Sequence, residues 1–148
     1  MINFPQLSDS FRLARLQPPT CKVRMVLDTD TYNEVDDQFA LVQALLSPDR
    51  LQVEAIYAAP YFNSRSTGPA DGMEKSYAEI LQRLDKLAWP NREFVYRGAT
   101  ACLDASLQPQ TSDAARDLVA RALASPDEDP HYVVAIGAIT NVASAVLL

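Results

Sequence analysis

Cysteine is scarce: Cys21 and Cys102 are the only two in 148 residues, and no metal-type spacing joins them. They read as free thiols in a reducing compartment, not as a disulfide framework. Basic residues form no block and the formal net charge is −6, which argues against a nucleic-acid surface. No apolar run approaches the roughly 20 residues that a membrane-spanning helix needs. The N-terminus also lacks a charged-then-apolar secretory pattern. Repeats and low-complexity tracts are missing as well. These absences leave a soluble cytoplasmic protein, without membrane or nucleic-acid partners, as the expectation. Hydrophobic residues make up 48% of the chain, enough for one domain with a real core.

What is present concentrates in Val23–Leu41, VRMVLDTDTYNEVDDQFAL. Asp28, Asp30, Asp36 and Asp37, with Glu34, fall within ten residues where an apolar strand gives way to a helical pattern. Like charges this close raise one another's pKa, so they must be protonated, splayed into solvent or neutralised by a cation. Hard cations such as Ca²⁺ or Mg²⁺ take oxygen ligands, which this loop has in surplus. The bland alternative is an N-cap followed by a solvated acidic loop. The pairing of two acidic doublets favours a metal or catalytic site.

Along the chain, strands are expected at Lys22–Leu27, Val53–Ala58, Glu93–Tyr96 and Tyr132–Ile136. Helices are expected at Val35–Leu46, Gly72–Leu87 and Ser112–Ala124, with another from Thr140 onward. In the first helix, Phe39, Val42, Leu45 and Leu46 are read as one apolar face. Residues 1–21 form an N-terminal extension with one helical turn, and 22–148 form the α/β domain. Alternating strands and helices indicate βαβ units and a mostly parallel sheet flanked by helices. Ligands of such sheets bind beyond the carboxyl ends of the strands. That edge should collect Asp28, Asp30, Asn63, Arg97 and Thr140. Arg97 reads as a structural cation. His131, the single histidine, starts the fourth strand at the opposite end and is given no catalytic role.

Two segments carry a family resemblance. DTD…DD after an apolar strand, and VVAIGAITNVASA at Val133–Ala145, resemble the opening signature and the strand–IGPLTN–helix segment of the inosine/uridine-type nucleoside hydrolases. The resemblance runs from about Lys22 to the last residue. It implies an open α/β fold, cleavage of the N-glycosidic bond of ribonucleosides, a tightly held Ca²⁺ and a homo-oligomeric full-length form. Carried over by position, it implies that Asp30 and Asp37 ligate calcium and that Asp30 activates the attacking water. Asp36 would bind ribose hydroxyls, Asn63 would contact the sugar, and the Thr140 backbone carbonyl would complete the metal shell. Asp28 would support the loop. Alternative readings stay open for three of these: strand-end capping for Asp28, a turn for Asn63 and a helix start for Thr140. One departure stands out: where the family has Pro-Gly in a shorter loop, this chain has Thr31-Tyr32-Asn33-Glu34-Val35.

The family's chains are longer, so the sequence is expected to correspond to their N-terminal part and to be a weak or inactive hydrolase alone. Two rival functions remain at this stage. Leu27–Thr31 also fits the hhDxDxT opening of haloacid-dehalogenase-type phosphatases, with Asp28 as nucleophile, Asp30 as acid–base and Mg²⁺ as cofactor. The other is a non-catalytic remnant that binds metal.

Overall fold

A computed structural model describes residues 5–148; the first four residues of the expected extension lie outside the described residues. The elements run α1 (Asp9–Arg15), β1 (Val23–Thr29), α2 (Val35–Leu45), β2 (Leu51–Ala58), α3 (Pro69–Lys86), β3 (Val95–Arg97), α4 (Asp113–Ala124), β4 (Tyr132–Ala135) and α5 (Thr140–Leu147). The extension holds two helical turns in place of the expected one. Ser8 caps α1 by accepting from the Phe11 amide, yet the helix buries none of its residues.

The four strands form one parallel sheet in the order β3-β2-β1-β4. Strands β1 and β2 are rich in branched and aromatic residues, which suit a pleated surface buried on both faces. On one face Leu41 and Leu45 of α2 join Met73, Ile80 and Leu84 of α3 over Met25, Leu27 and Ile56. On the other, Ala114 and Leu118 of α4 pack on Val26, Ala55 and Tyr57, with Val142 and Ala145 of α5 alongside. Chain order therefore runs outward from β1 to β3 and then returns to the far side of β1. The β1–β4 boundary is the point where the order reverses, and sheets of this kind bind ligands beyond the carboxyl ends of the strands at such a point.

Local chemistry sets the boundaries. Ser47-Pro48 follow α2, since proline cannot continue a helix. Pro69 opens α3, where its missing amide costs nothing. Ser112 caps α4 by accepting from the Ala115 amide at 3.1 Å. Between β1 and β2 the register slips: Met25 pairs with Val53 but Val26 pairs with Ala55, so Glu54 is passed over. The bulged Glu54 accepts from Arg24 Nε at 2.7 Å and from Arg121 at 3.1 Å.

Two expectations need correction. Strand β1 does not stop at Leu27 but continues through Asp28 and Thr29, because the Ile136 amide donates to the Asp28 carbonyl and prolongs the ladder. The buried face of α2 is Asp37, Leu41, Ala44 and Leu45. Phe39 and Leu46, placed on the inner face from the sequence, are 71% and 61% exposed.

Candidate metal centre

The end of β1 brings two carboxylates to the switch point, Asp28 and Asp30. Asp28 is fully buried. Neither of its oxygens has a hydrogen-bond partner. Burial pushes its pKa up to about 7, and the charge of Asp30 adds to the rise. The nearby Asn141 amide offsets part of this, but its Nδ2 is spent on the Ala58 carbonyl at 3.3 Å. Its Oδ1 accepts from the Ala99 amide at 2.7 Å.

Asp30 follows directly after the strand. Its Oδ2 accepts from Asn33 Nδ2 at 3.1 Å. Its Oδ1 faces Gly137 in the β4–α5 connection so closely that a Cβ on residue 137 would stand 2.9 Å from it. Burial raises the Asp30 pKa first, and the charge of Asp37 raises it further, while Asn33 opposes both. Asp37 sits in the first turn of α2 on its buried face, and Thr29 Oγ1 donates to its Oδ1 at 2.5 Å. Its pKa is raised by burial, held back by Thr29, and raised again by Asp36 and Glu34.

Glu34, Asp36 and Asp37 can each present a carboxylate oxygen within 4.8 Å of the other two. This donor set is all oxygen, anionic and mutually repelling, which fits a hard divalent cation. Buried Asp28, whose two oxygens have no partner, lies close enough to Asp30 to feel its charge. The expected ligand set was Asp30, Asp37 and the Thr140 carbonyl; the tight carboxylate cluster instead shares only Asp37 with it. Asp30 stands beside this cluster, close enough to feel the Asp37 and Glu34 charges. Thr140 is buried at the first residue of α5, three positions beyond the Gly137 that touches Asp30.

The remaining sites fall as follows. Asn63 lies in the β2–α3 loop, where its Oδ1 accepts from the Arg65 amide at 2.9 Å, a turn role. Its Nδ2 meanwhile reaches across to Asn33 Oδ1 at 2.6 Å. Arg97 pairs with Glu74 at 2.9 Å and stacks over the Tyr77 ring, as a structural cation does. His131 lies near Glu54 at 3.7 Å, in the charge network around the β1–β2 bulge. Asp28, the nucleophile of the phosphatase reading, has both carboxylate oxygens buried.

Sequence reasoning missed three contributors. Glu34 was counted in the cluster but given no role. Asn33 and Gly137 went unassigned, although an amide residue set among acids is a signal in its own right.

Among the described residues no helix is long and apolar enough to cross a membrane. Residues 24–148 match the family described as cellulose-binding Sde182, nucleoside hydrolase-like domain. No curated protein and no solved structure matches the chain.

Proposed function

The chain belongs to this nucleoside hydrolase-like family, and on that premise we propose that it serves hydrolysis of the N-glycosidic bond of ribonucleosides, with Ca²⁺ as the cofactor. The observation that carries the reading is the seating of Asp30 at the switch point, against Gly137 and beside Asp37. Asp37, Glu34 and Asp36 are the carboxylates that would hold the ion, with Asp30 and the Thr140 carbonyl able to join them. When bound, Ca²⁺ supplies acidification of a nearby water and neutralises the crowded carboxylates.

This chain's own residues then divide the work. Asp30 takes a proton from the attacking water, as a carboxylate general base does. The water oxygen bonds to the anomeric carbon while the bond to the base nitrogen breaks and its electron pair leaves with the base. Positive charge develops on the sugar ring, as in other glycoside cleavages, and the surrounding carboxylates stabilise it. Asp36, exposed at the start of α2, would bind ribose hydroxyls. Asn63, whose Nδ2 reaches Asn33, would contact the sugar from the β2–α3 loop.

The family's description also names cellulose binding. A second reading is that this edge of the sheet holds a sugar polymer without cleaving it. The test is to assay the chain with inosine and uridine in calcium and in chelator, beside Asp30→Ala and a cellulose pull-down. Calcium-dependent ribose release that Asp30→Ala abolishes supports hydrolysis. Cellulose retention with no release in either condition favours the second reading. Wild-type turnover in Asp30→Ala removes Asp30 from the mechanism.

A further inference from the structure

Asp30 is held from two sides, by Gly137 of the IGAITN segment and by Asn33, which lies between the two acidic motifs. On one side Gly137 leaves room for its Oδ1. On the other, Asn33 donates to its Oδ2 at 3.1 Å. Asn33 belongs to the stretch Thr31–Val35 that replaces the shorter Pro-Gly turn. It is itself fixed by a second loop: Asn63 Nδ2 donates to its side-chain oxygen at 2.6 Å. Arg65 donates to its backbone carbonyl at 2.6 Å. Arg65 is in turn anchored, its own carbonyl accepting from Lys75 Nζ at 2.7 Å, and Lys75 pairs with Asp71 at 2.8 Å.

We infer that Asn33 is a positioning residue for Asp30, and that Asn63 and Arg65 of the β2–α3 loop set its orientation. A side-chain amide has one donor end and one acceptor end. Because Asn63 claims the oxygen end, the Asn33 nitrogen is left pointing at Asp30. Were the amide turned over, its oxygen would face the carboxylate and repel it. Asn63 thus acts on the site through Asn33, without touching Asp30. The extra length of the loop is what lets a residue of β1–α2 reach both partners. The inference rests on the reading of Asp30 as a member of the metal and water-activating site, and its test separates the two.

The experiment uses the whole chain and measures Ca²⁺ affinity by calorimetry and thermal stability for wild type, Asp30→Ala, Asn33→Ala, Asn63→Ala and the Asn33→Ala/Asn63→Ala pair. Residues that orient a ligand carboxylate typically change metal affinity by about 10- to 100-fold. Asn33→Ala should weaken Ca²⁺ binding by about tenfold or more, with Asn63→Ala weaker in effect. The double variant should be no worse than Asn33→Ala alone, since Asn63 works through it. Melting temperatures should stay close to wild type, which a merely structural role would not allow. Wild-type affinity in Asn33→Ala, with affinity lost in Asp30→Ala, overturns the positioning role and leaves the metal reading standing. Additive losses in the double variant overturn the coupling through Asn33. If wild type binds no Ca²⁺, the metal reading fails, and crystal structures of wild type and Asn33→Ala decide the matter. An Asp30 carboxylate that stays against Gly137 without Asn33 overturns the inference; one that swings away supports it.

Discussion

Thr29, the last residue of β1, donates its hydroxyl to Asp37 in the first turn of α2 at 2.5 Å. This bond spans the acidic loop at its base and ties the strand to the helix. Both side chains are buried, and Thr31 joins them through a 2.9 Å hydroxyl contact. Thr29→Val keeps the shape but removes the donor, leaving a buried carboxylate oxygen short of one bond. The expected cost is about 1–3 kcal/mol of stability without metal. Chemical denaturation in chelator measures it, and a smaller loss when saturating Ca²⁺ is added would show the cation taking over the neutralising role.

How much of this was legible in the sequence depends on the range of the contact. Alternation of strands and helices announced the parallel sheet, because parallel neighbours need a crossover connection and helices supply it. Asp30 and Asp37 could be placed together because only a short loop separates them. The Asn33–Asn63 bond could not, since it joins residues thirty positions apart. The closeness of Gly137 to Asp30 depends on β4 lying beside β1, which is a matter of strand order. The inner face of α2 was misread for a different reason. Val35, Phe39, Val42 and Leu46 repeat at helical spacing and make a second apolar stripe beside Leu41 and Leu45. The side that wins is the one bearing Asp37, because the hydroxyl of Thr29 meets it there.

Helix α3 ends with Ala88 at φ 50°, a left-handed conformation that favours glycine. The Trp89 amide closes the turn on the Leu84 carbonyl at 2.9 Å, the pattern of a helix-terminating motif. Ala88→Gly should therefore stabilise the protein, by about 0.5–1 kcal/mol after the entropy gained by the unfolded chain is deducted. A rise in melting temperature of a few degrees is the expected result. A fall would mean that the Ala88 methyl packs more favourably than the backbone strain costs.

Strand β4 forms one edge of the sheet among the described residues. Val133, Val134 and Ile136 there are each about two-fifths exposed, and no charged side chain interrupts Tyr132–Ile139. Edges without charge or proline invite pairing with another strand. The protein should associate with rising concentration, and Val134→Lys should reduce that association while leaving the circular dichroism spectrum intact. Light scattering across a dilution series reads the difference; identical association in both proteins would rule the β4 edge out as the contact.

Glu54 supplies a pH dependence that can be separated from the acidic cluster, because it sits beside Arg24 near the start of β1. Its carboxylate accepts from Arg24 at 2.7 and 3.2 Å and from Arg121 at 3.1 Å. These partners, led by the Arg24 hydrogen bond, hold its pKa below the ordinary 4.5. A carboxyl whose folded pKa is depressed binds its proton more readily in the unfolded chain. Its stabilisation is therefore present above about pH 4.5 and is lost as pH falls through the lower folded value. Glu54→Gln removes the charge at every pH and leaves two arginines short of a partner, costing about 1–3 kcal/mol near neutrality. The gap between wild type and variant should be widest near neutral pH and should close below the folded pKa, where wild-type Glu54 is itself neutral. Urea midpoints in chelator at a series of pH values measure the gap. A gap that stays constant into strong acid would show that Glu54 stabilises the β1–β2 bulge through packing and neutral hydrogen bonds, with no contribution from its charge.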